Sequence, residues 1–427
     1  MKTIYRQLFF AAFLAVATIA GSMSVNAQTN PCDATVEAAA VAAYTEWTGL
    51  FEKKDLPSRK AAVEKGKQFI AHAMYPKCEA TKAGGEFISS SLPGMESAVR
   101  KIEDRAAEAA LEKRFNDGLT AKNWDEVYAA GKEALAKNPE KYRAAVLVLG
   151  SIGLDETGKT PSVTKWNEDT LKYAKQSIAD IESGKKFSTW GLGSFSYKSK
   201  EDALGWMNYT IGYILFNDKK DKKGAAEYMY KASQIASDTK SNPVVYSSIA
   251  SYYIVDLNKN IEELKALPGP VDADTPEVKQ QKVDAIKDKT AVVNGAAERV
   301  MDAYARAYNF APTTPAAKAY RDGLKASFKQ IYDIRFQKPD ATVPTVDAWI
   351  ASVSSKTFLN PSTPIAPVMD AEKTPTTTTA TPGPGPATTV KPATTTTPAG
   401  VKPTMPAGGR PVGPGTKPAP TTGTKPL

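Results

Sequence analysis

The side chains that most often act as nucleophiles, bases or metal ligands are scarce in this sequence. Its 427 residues include one histidine, His72, and two cysteines, Cys32 and Cys78. A zinc site needs three or four such ligands, so neither zinc nor another His/Cys-ligated metal is expected. His72 ends an amphipathic segment that carries no nucleophile motif. This setting favours a capping or packing role over that of a general base.

One glycine-rich segment, Gly191-Leu192-Gly193, has the glycine spacing of a phosphate-binding loop. Such loops follow a strand and open a helix, and no strand-like run precedes this one. No nucleophile motif or pair of carboxylates has the required context elsewhere. The sequence therefore predicts a protein that is not an enzyme and that uses no cofactor.

The N-terminus has the order of charges and apolar residues that is typical of a secretory signal peptide. Lys2 and Arg6 precede an apolar run, and small and polar residues follow it up to Ala27. The run is shorter than the roughly 20 residues that span a bilayer, which favours cleavage over an uncleaved membrane anchor. We predict a signal peptide over residues 1–27 and a mature chain that starts at Gln28. This chain would have no membrane span and would be periplasmic, secreted or held in the cell envelope.

The two cysteines are expected to form one disulfide in such an oxidising compartment. Cys32 lies at the start of the mature chain, and Cys78 lies just past the second predicted helix. A bond between them would pin the first helix pair.

The composition changes near residue 359, and residues 359–427 are rich in proline and threonine. Such a segment buries too little apolar surface to offset the entropy of ordering it, which predicts a disordered tail. Its positive charge could bring it to acidic cell-wall polymer or anionic lipid, and the alternative is a solvated spacer. The basic residues of the tail are Lys373, Lys391, Lys402, Arg410, Lys417 and Lys425.

Residues 28–358 form the body of the chain, in which Ala, Leu, Lys and Glu recur at helical spacing between breaks that carry Pro or Gly. This pattern predicts an all-α fold. The body is longer than one compact core usually organises, a limit that an elongated array of repeats does not have. The net charge of +9 without a dense basic cluster gives no reason to expect nucleic-acid binding.

Three segments of the body share a spacing of small and apolar residues. They are Trp124-x2-Val127-x3-Gly131-x2-Ala134, Ala225-x3-Met229-x2-Ala232 and Val300-x3-Tyr304-x2-Ala307-Tyr308. The pattern resembles the tetratricopeptide repeat (TPR) family, in which small and large residues alternate so that neighbouring helices interlock. The resemblance implies a right-handed α-solenoid of helix-turn-helix pairs. A generic helical bundle is the alternative.

The connection over residues 184–200 is longer than a helical repeat needs, and it combines aromatic rings with lysines and glycines. Long connections in compact repeats are often functional. We therefore consider Phe187, Trp190, Phe195 and Tyr197 candidate partner-binding residues. The alternative is that these rings fill a gap between helices, because exposed aromatic rings are unfavourable unless a partner covers them.

Taken together, these features predict an exported, non-catalytic scaffold that binds another envelope protein or a peptide. A second hypothesis is an envelope structural protein whose basic tail contacts cell-wall polymer. A third is an enzyme or small-ligand binder with a pocket near Trp190 and Trp206.

Overall fold

The computed structural model describes residues 32–337 and 342–370. Within these ranges the chain forms helices and their connections and contains no β-strand. The predicted all-α class is confirmed. The predicted signal peptide, and the part of the predicted tail beyond residue 370, lie outside the described residues.

The described residues divide into two compact units, with the division between Ala110 and Leu111. The first contains helices α1 (Ala34–Phe51) and α2 (Leu56–Ala71) and the greater part of α3 (Lys82–Ala121). In its core Trp47, Phe69 and Ile88 are almost fully buried. Gly66 allows close packing there, because a Cβ at this position would lie only 2.9 Å from the indole nitrogen of Trp47.

A disulfide joins Cys32, directly before α1, to Cys78, which follows α2. This is the pairing that the sequence predicts, and the S–S distance is 1.96 Å. The side chain of Asp33 then caps α1 by accepting hydrogen bonds from the backbone N–H groups of Thr35 and Val36, both at 2.9 Å. The start of α1 is thus fixed covalently and by a preferred N-cap residue.

The second unit continues with ten helices in its described residues. They are α4 (Trp124–Lys137), α5 (Ala144–Leu149), α6 (Ile152–Thr157), α7 (Asn167–Glu182), α8 (Lys200–Ile214), α9 (Lys222–Gln234), α10 (Pro243–Lys265), α11 (Pro276–Phe310), α12 (Lys318–Arg335) and α13 (Val346–Ser352). From α7 to α12 each helix packs against the next in the chain, and the contact between α10 and α11 is the most extensive. Within the described residues, no helix is both long and apolar enough to cross a membrane.

Capping residues and prolines set the starts of the long helices. Asn242 caps α10 by accepting from the N–H of Val244 at 2.9 Å, and Thr275 caps α11. Pro243 and Pro276 follow as the first helical residues, a position where the missing N–H costs nothing. The longest helices of this unit therefore start where local sequence favours it.

Small residues lie where helices approach one another most closely. A Cβ added to Gly131 of α4 would lie 3.0 Å from Phe115 and 3.1 Å from Leu149. A Cβ on Gly212 of α8 would meet Met229 of α9 at 2.9 Å. The apolar core of this unit depends on these approaches.

Candidate functional site

The four aromatic residues singled out in the 184–200 connection fall into two environments. Phe195 is 1% exposed and packs edge-on against Trp124, with ring centroids 5.9 Å apart. The hydroxyl of Tyr197 lies 2.5 Å from that of Ser151 in the interior. These two rings belong to the core.

Phe187 and Trp190 instead stack on each other, with ring centroids 5.1 Å apart and an interplanar angle of 24°. Both are half-buried against the large core of the second unit. The backbone holds them in place, because the N–H of Tyr197 donates to the carbonyl of Trp190 at 2.7 Å. The structure therefore does not bring the four rings into one exposed surface.

His72 is the C-cap residue of α2, and its imidazole contacts residues that follow it closely in the chain. Its Nδ1 accepts from the backbone N–H groups of Met74 at 3.3 Å and Tyr75 at 3.2 Å. The imidazole also stacks on the ring of Tyr75, with centroids 3.5 Å apart. These contacts are those of a capping and packing residue.

A more extensive site lies along α11, where the last described segment of the chain covers the helix. We call residues 357–370 the strap. The segment from α13 through the strap runs antiparallel to α11: the carbonyl of Ile350 accepts from Asn309 at 3.1 Å, and the N–H of Val368 donates to the carbonyl of Ala291 at 2.8 Å. The contacts thus extend over about five turns of α11.

Side chains of α10 and α11 donate hydrogen bonds to the backbone carbonyls of the strap. Arg299 donates from both terminal guanidinium nitrogens, from Nη1 to the carbonyl of Thr363 at 2.7 Å and from Nη2 to that of Pro364. Asn294 donates to the carbonyl of Val368 at 3.2 Å. The hydroxyl of Tyr253 on α10 donates to the carbonyl of Leu359, also at 3.2 Å. This surface of α10 and α11, hereafter the strap groove, grips the peptide backbone.

Arg306 fixes the chain just before the strap. Its Nη2 donates to the carbonyls of Val353 at 3.0 Å and Lys356 at 2.6 Å. Its guanidinium also lies 5.0 Å from the ring centre of Phe358, within the range of a cation–π contact. Arg306 therefore orients both the backbone just before the strap and Phe358, the one aromatic residue of the strap.

The inward-facing residues of the strap are apolar. Phe358 is 7% exposed, and its ring lies 5.2 Å from that of Tyr246 and 6.0 Å from that of Tyr230. Pro361 is buried, and Ile365 and Val368 are half-buried. Phe358 is the main anchor, because it alone fills a pocket between aromatic rings of α9 and α10.

Gly295 makes the close approach of the strap possible. A Cβ at this position of α11 would lie 2.0 Å from the carbonyl oxygen of Ala366, far inside any van der Waals contact. Any larger residue would push the strap outward. The strap groove is thus shaped for a peptide backbone at this point.

Three carboxylates at the strap groove each form an ion pair with an arginine. Asp302 accepts from Nε of Arg306 at 3.0 Å, and burial raises the pKa of its carboxyl while Arg306 opposes that shift. Arg335 bridges Glu298 at 2.9 Å and Asp370 of the strap at 2.8 Å. The carboxylates of this site thus hold Arg306 and Arg335 in position.

A cleft of about 190 Å³ remains between the strap and the helices. Glu298, Arg299 and Asp302 line it together with Trp349 and Lys356. In the described parts of the chain, no group of three or more His, Cys, Asp and Glu side chains is placed to share a metal ion.

Sequence reasoning missed the strap because it placed the start of the tail at residue 359. In the structure, residues of the segment 359–370 contact α10 and α11. The average composition of residues 359–427 does not reveal the strap, because the many Pro and Thr residues after position 370 dominate it. The spacing of Phe358, Pro361, Ile365 and Val368 was the available signal.

Comparison of the chain with protein-family models, with curated proteins and with solved structures finds no match.

Proposed function

We propose that this protein is an exported, non-catalytic scaffold that holds another envelope protein, and that TPR-like helix pairs form its binding surface. The strap groove carries this proposal. It holds 14 residues of non-helical chain mainly through side-chain donors aimed at backbone carbonyls, and such contacts can be made to an extended peptide of a second protein.

The packing of the helices supports the repeat-like part of the proposal. Consecutive helices from α7 to α12 lie against one another, as stacked helix pairs would. The small residues of the repeat pattern are at the contacts: Ala225, Ala232 and Ala307 are fully buried. A right-handed solenoid is the arrangement that we propose for them.

Export is supported by the predicted signal peptide and by the disulfide. Disulfides persist in oxidising compartments and are rare in the cytosol. Cys32 and Cys78 are the only cysteines of the sequence, and the structure leaves neither as a free thiol. We therefore place the scaffold in the periplasm or elsewhere in the cell envelope.

The proposal is tested by affinity capture from an envelope extract with the mature chain as bait. We expect a specific protein to be retained by the wild type and lost with the double variant Arg299→Ala/Arg306→Ala. Arg105→Ala, which removes an exposed arginine of α3, is the matched control and should retain the partner. Failure to retain any specific protein would contradict the proposal.

A chain that ends at Asp370 separates this proposal from the cell-wall hypothesis. The scaffold should retain its partner without the basic tail. Loss of the partner upon this truncation, together with loss of sedimentation with purified cell wall, would favour the structural role of the tail instead.

A further inference from the structure

We propose that the strap is an exchangeable occupant of the strap groove, and that the partner replaces it with an extended segment of the same kind: an aromatic residue followed by prolines. This inference rests on the proposed function and names the class of peptide that the scaffold binds. The partner and the strap would then compete for one site.

The hydrogen bonds from α10 and α11 to the strap go to its main chain, whereas the ion pair of Arg335 with Asp370 at the end of the strap uses a side chain. Tyr253, Arg299 and Asn294 all donate to main-chain carbonyls, which every peptide carries. The close approach at Gly295 is likewise to a main-chain oxygen, that of Ala366. A peptide of different sequence can therefore make the same hydrogen bonds.

Other features of the groove do depend on the sequence of its occupant. Phe358 inserts its ring between Tyr246, Tyr230 and Arg306, so the groove selects for an aromatic side chain at that point. Pro361 lies in the turn that the N–H of Thr363 closes with the carbonyl of Asn360 at 2.9 Å, and Pro364 and Pro367 follow it in a stretch without helix or turn. The spacing of these last two prolines matches the three residues per turn of a polyproline II helix, which is pre-extended and loses little entropy on binding.

Much of the strap faces outward. Leu359 and Met369 are 46% and 63% exposed, and Pro364 and Pro367 are exposed as well. After Phe358 and Pro361, the strap thus contacts the helices along one edge only. Local opening of such a segment requires less free energy than unfolding of the helices beneath it.

Competition within one chain has a calculable effect. If the strap occupies the groove for most of the time, the apparent affinity for a partner peptide falls by the fraction of chains in which the groove is open. A substitution that weakens the strap should therefore strengthen binding of an added peptide. This sign distinguishes an exchangeable occupant from a purely structural segment.

The test uses the full mature chain and a fluorescently labelled synthetic peptide with the sequence of residues 355–370. We expect the Phe358→Ala variant of the protein to bind this peptide at least tenfold more tightly than the wild-type protein does. Leu359→Ala, a truncation of the exposed neighbour on the same strap, is the matched control and should leave the affinity within about twofold.

Two further variants define the site. Adding Arg299→Ala to Phe358→Ala should abolish the gain, because the peptide then loses two carbonyl contacts. A peptide in which alanine replaces the residue equivalent to Phe358 should bind at least tenfold more weakly. Phe358→Leu, which keeps an apolar side chain, replaces Phe358→Ala if the latter does not fold, and a gain of at least threefold is then expected.

Equal peptide affinity of the wild type and the Phe358→Ala variant would overturn the inference. Peptide binding to the Phe358→Ala variant that does not weaken when Arg299→Ala is added would also overturn it. Affinity capture separates this failure from failure of the proposed function. If a partner is retained but an excess of the strap peptide does not release it, the proposed scaffold function is supported and the proposed exchange of the strap is wrong. If the peptide binds as expected but no partner is retained, the proposed function fails instead.

Discussion

At the scale of single residues, a few side chains on one face of α11 account for the strap groove. Arg299 provides two parallel N–H donors to adjacent carbonyls, a geometry that lysine does not have. Arg306 combines carbonyl contacts with its ion pair to Asp302. Gly295 supplies the space for the backbone. The groove is therefore sensitive to conservative substitutions.

Gly295→Ala tests the space requirement. Because the new Cβ would lie 2.0 Å from the carbonyl oxygen of Ala366, the strap or α11 must move. We expect a loss of about 1–3 kcal/mol in the free energy of unfolding measured with urea. If the strap alone yields, the amide of Val368 should instead lose its protection from hydrogen exchange.

Gly49→Ala is the control for this substitution. Gly49 is also in a helix, but nothing lies within 4 Å of the position of its added Cβ. The alanine should stabilise α1 by about 0.5–1 kcal/mol, because glycine loses more entropy in a helix. Equal responses at the two sites would contradict the packing that the structure shows around Gly295.

At the scale of elements, the sequence predicted the helices better than their connections. The helical spacing of α4, α9 and α11 was predictable from sequence, because local propensity and tertiary packing agree there. Whether the 184–200 connection binds or packs could not be read from sequence. Its rings divide between the core and a surface stack according to distant contacts, such as that of Phe195 with Trp124.

The docking of the strap was also not predicted, because the spacing of its anchors does not show which surface they contact. Its anchors contribute only when α9, α10 and α11 are already packed, since Phe358 fills a pocket that these helices form. Composition and periodicity describe a segment by itself. A proline-rich segment that binds to a preformed surface therefore resembles a tail in sequence.

The N-cap of α10 provides a prediction at this scale. Asn242→Ala removes the side-chain acceptor of the Val244 N–H and should reduce the free energy of unfolding by about 0.5–2 kcal/mol. Asn242→Ser should recover a large part of this loss, because serine also caps helices well. Equal losses for both variants would show that Asn242 acts through something other than the cap.

Reduction of the disulfide provides a second prediction for individual elements. The Cys32–Cys78 bond closes a loop of 46 residues, for which the chain-entropy model gives about 4 kcal/mol of stabilisation. We expect α1 and α2 to lose hydrogen-exchange protection when reductant is added. The variant Cys32→Ser/Cys78→Ser should behave as the reduced protein does and should not respond to reductant, and protection that is unchanged in both would contradict the prediction.

At the scale of the whole molecule, buried tyrosines predict instability in alkali. Burial raises the pKa of Tyr246 to about 12 and also raises the pKa values of Tyr128, Tyr209 and Tyr253. A folded-state pKa above the unfolded value of about 10 means stabilisation that is complete below pH 10 and is lost as pH rises further. Stability should therefore fall between about pH 10 and pH 12.

The measurement is simultaneous recording of tyrosinate absorbance and far-ultraviolet circular dichroism against pH. We expect ionisation of the buried tyrosines to coincide with loss of helical signal. Complete ionisation near pH 10 with the helical signal intact would contradict the burial of these side chains.

The central claim is that the strap occupies its groove in the native protein and leaves it without unfolding of α10 and α11. Native-state hydrogen exchange of the wild-type chain tests this most directly. We predict that the Val368 amide, which donates to Ala291, is protected and exchanges through local opening at a free energy well below that of the α10 and α11 amides. An unprotected Val368 would contradict the docking of the strap, and exchange of Val368 only together with the helices would contradict its release.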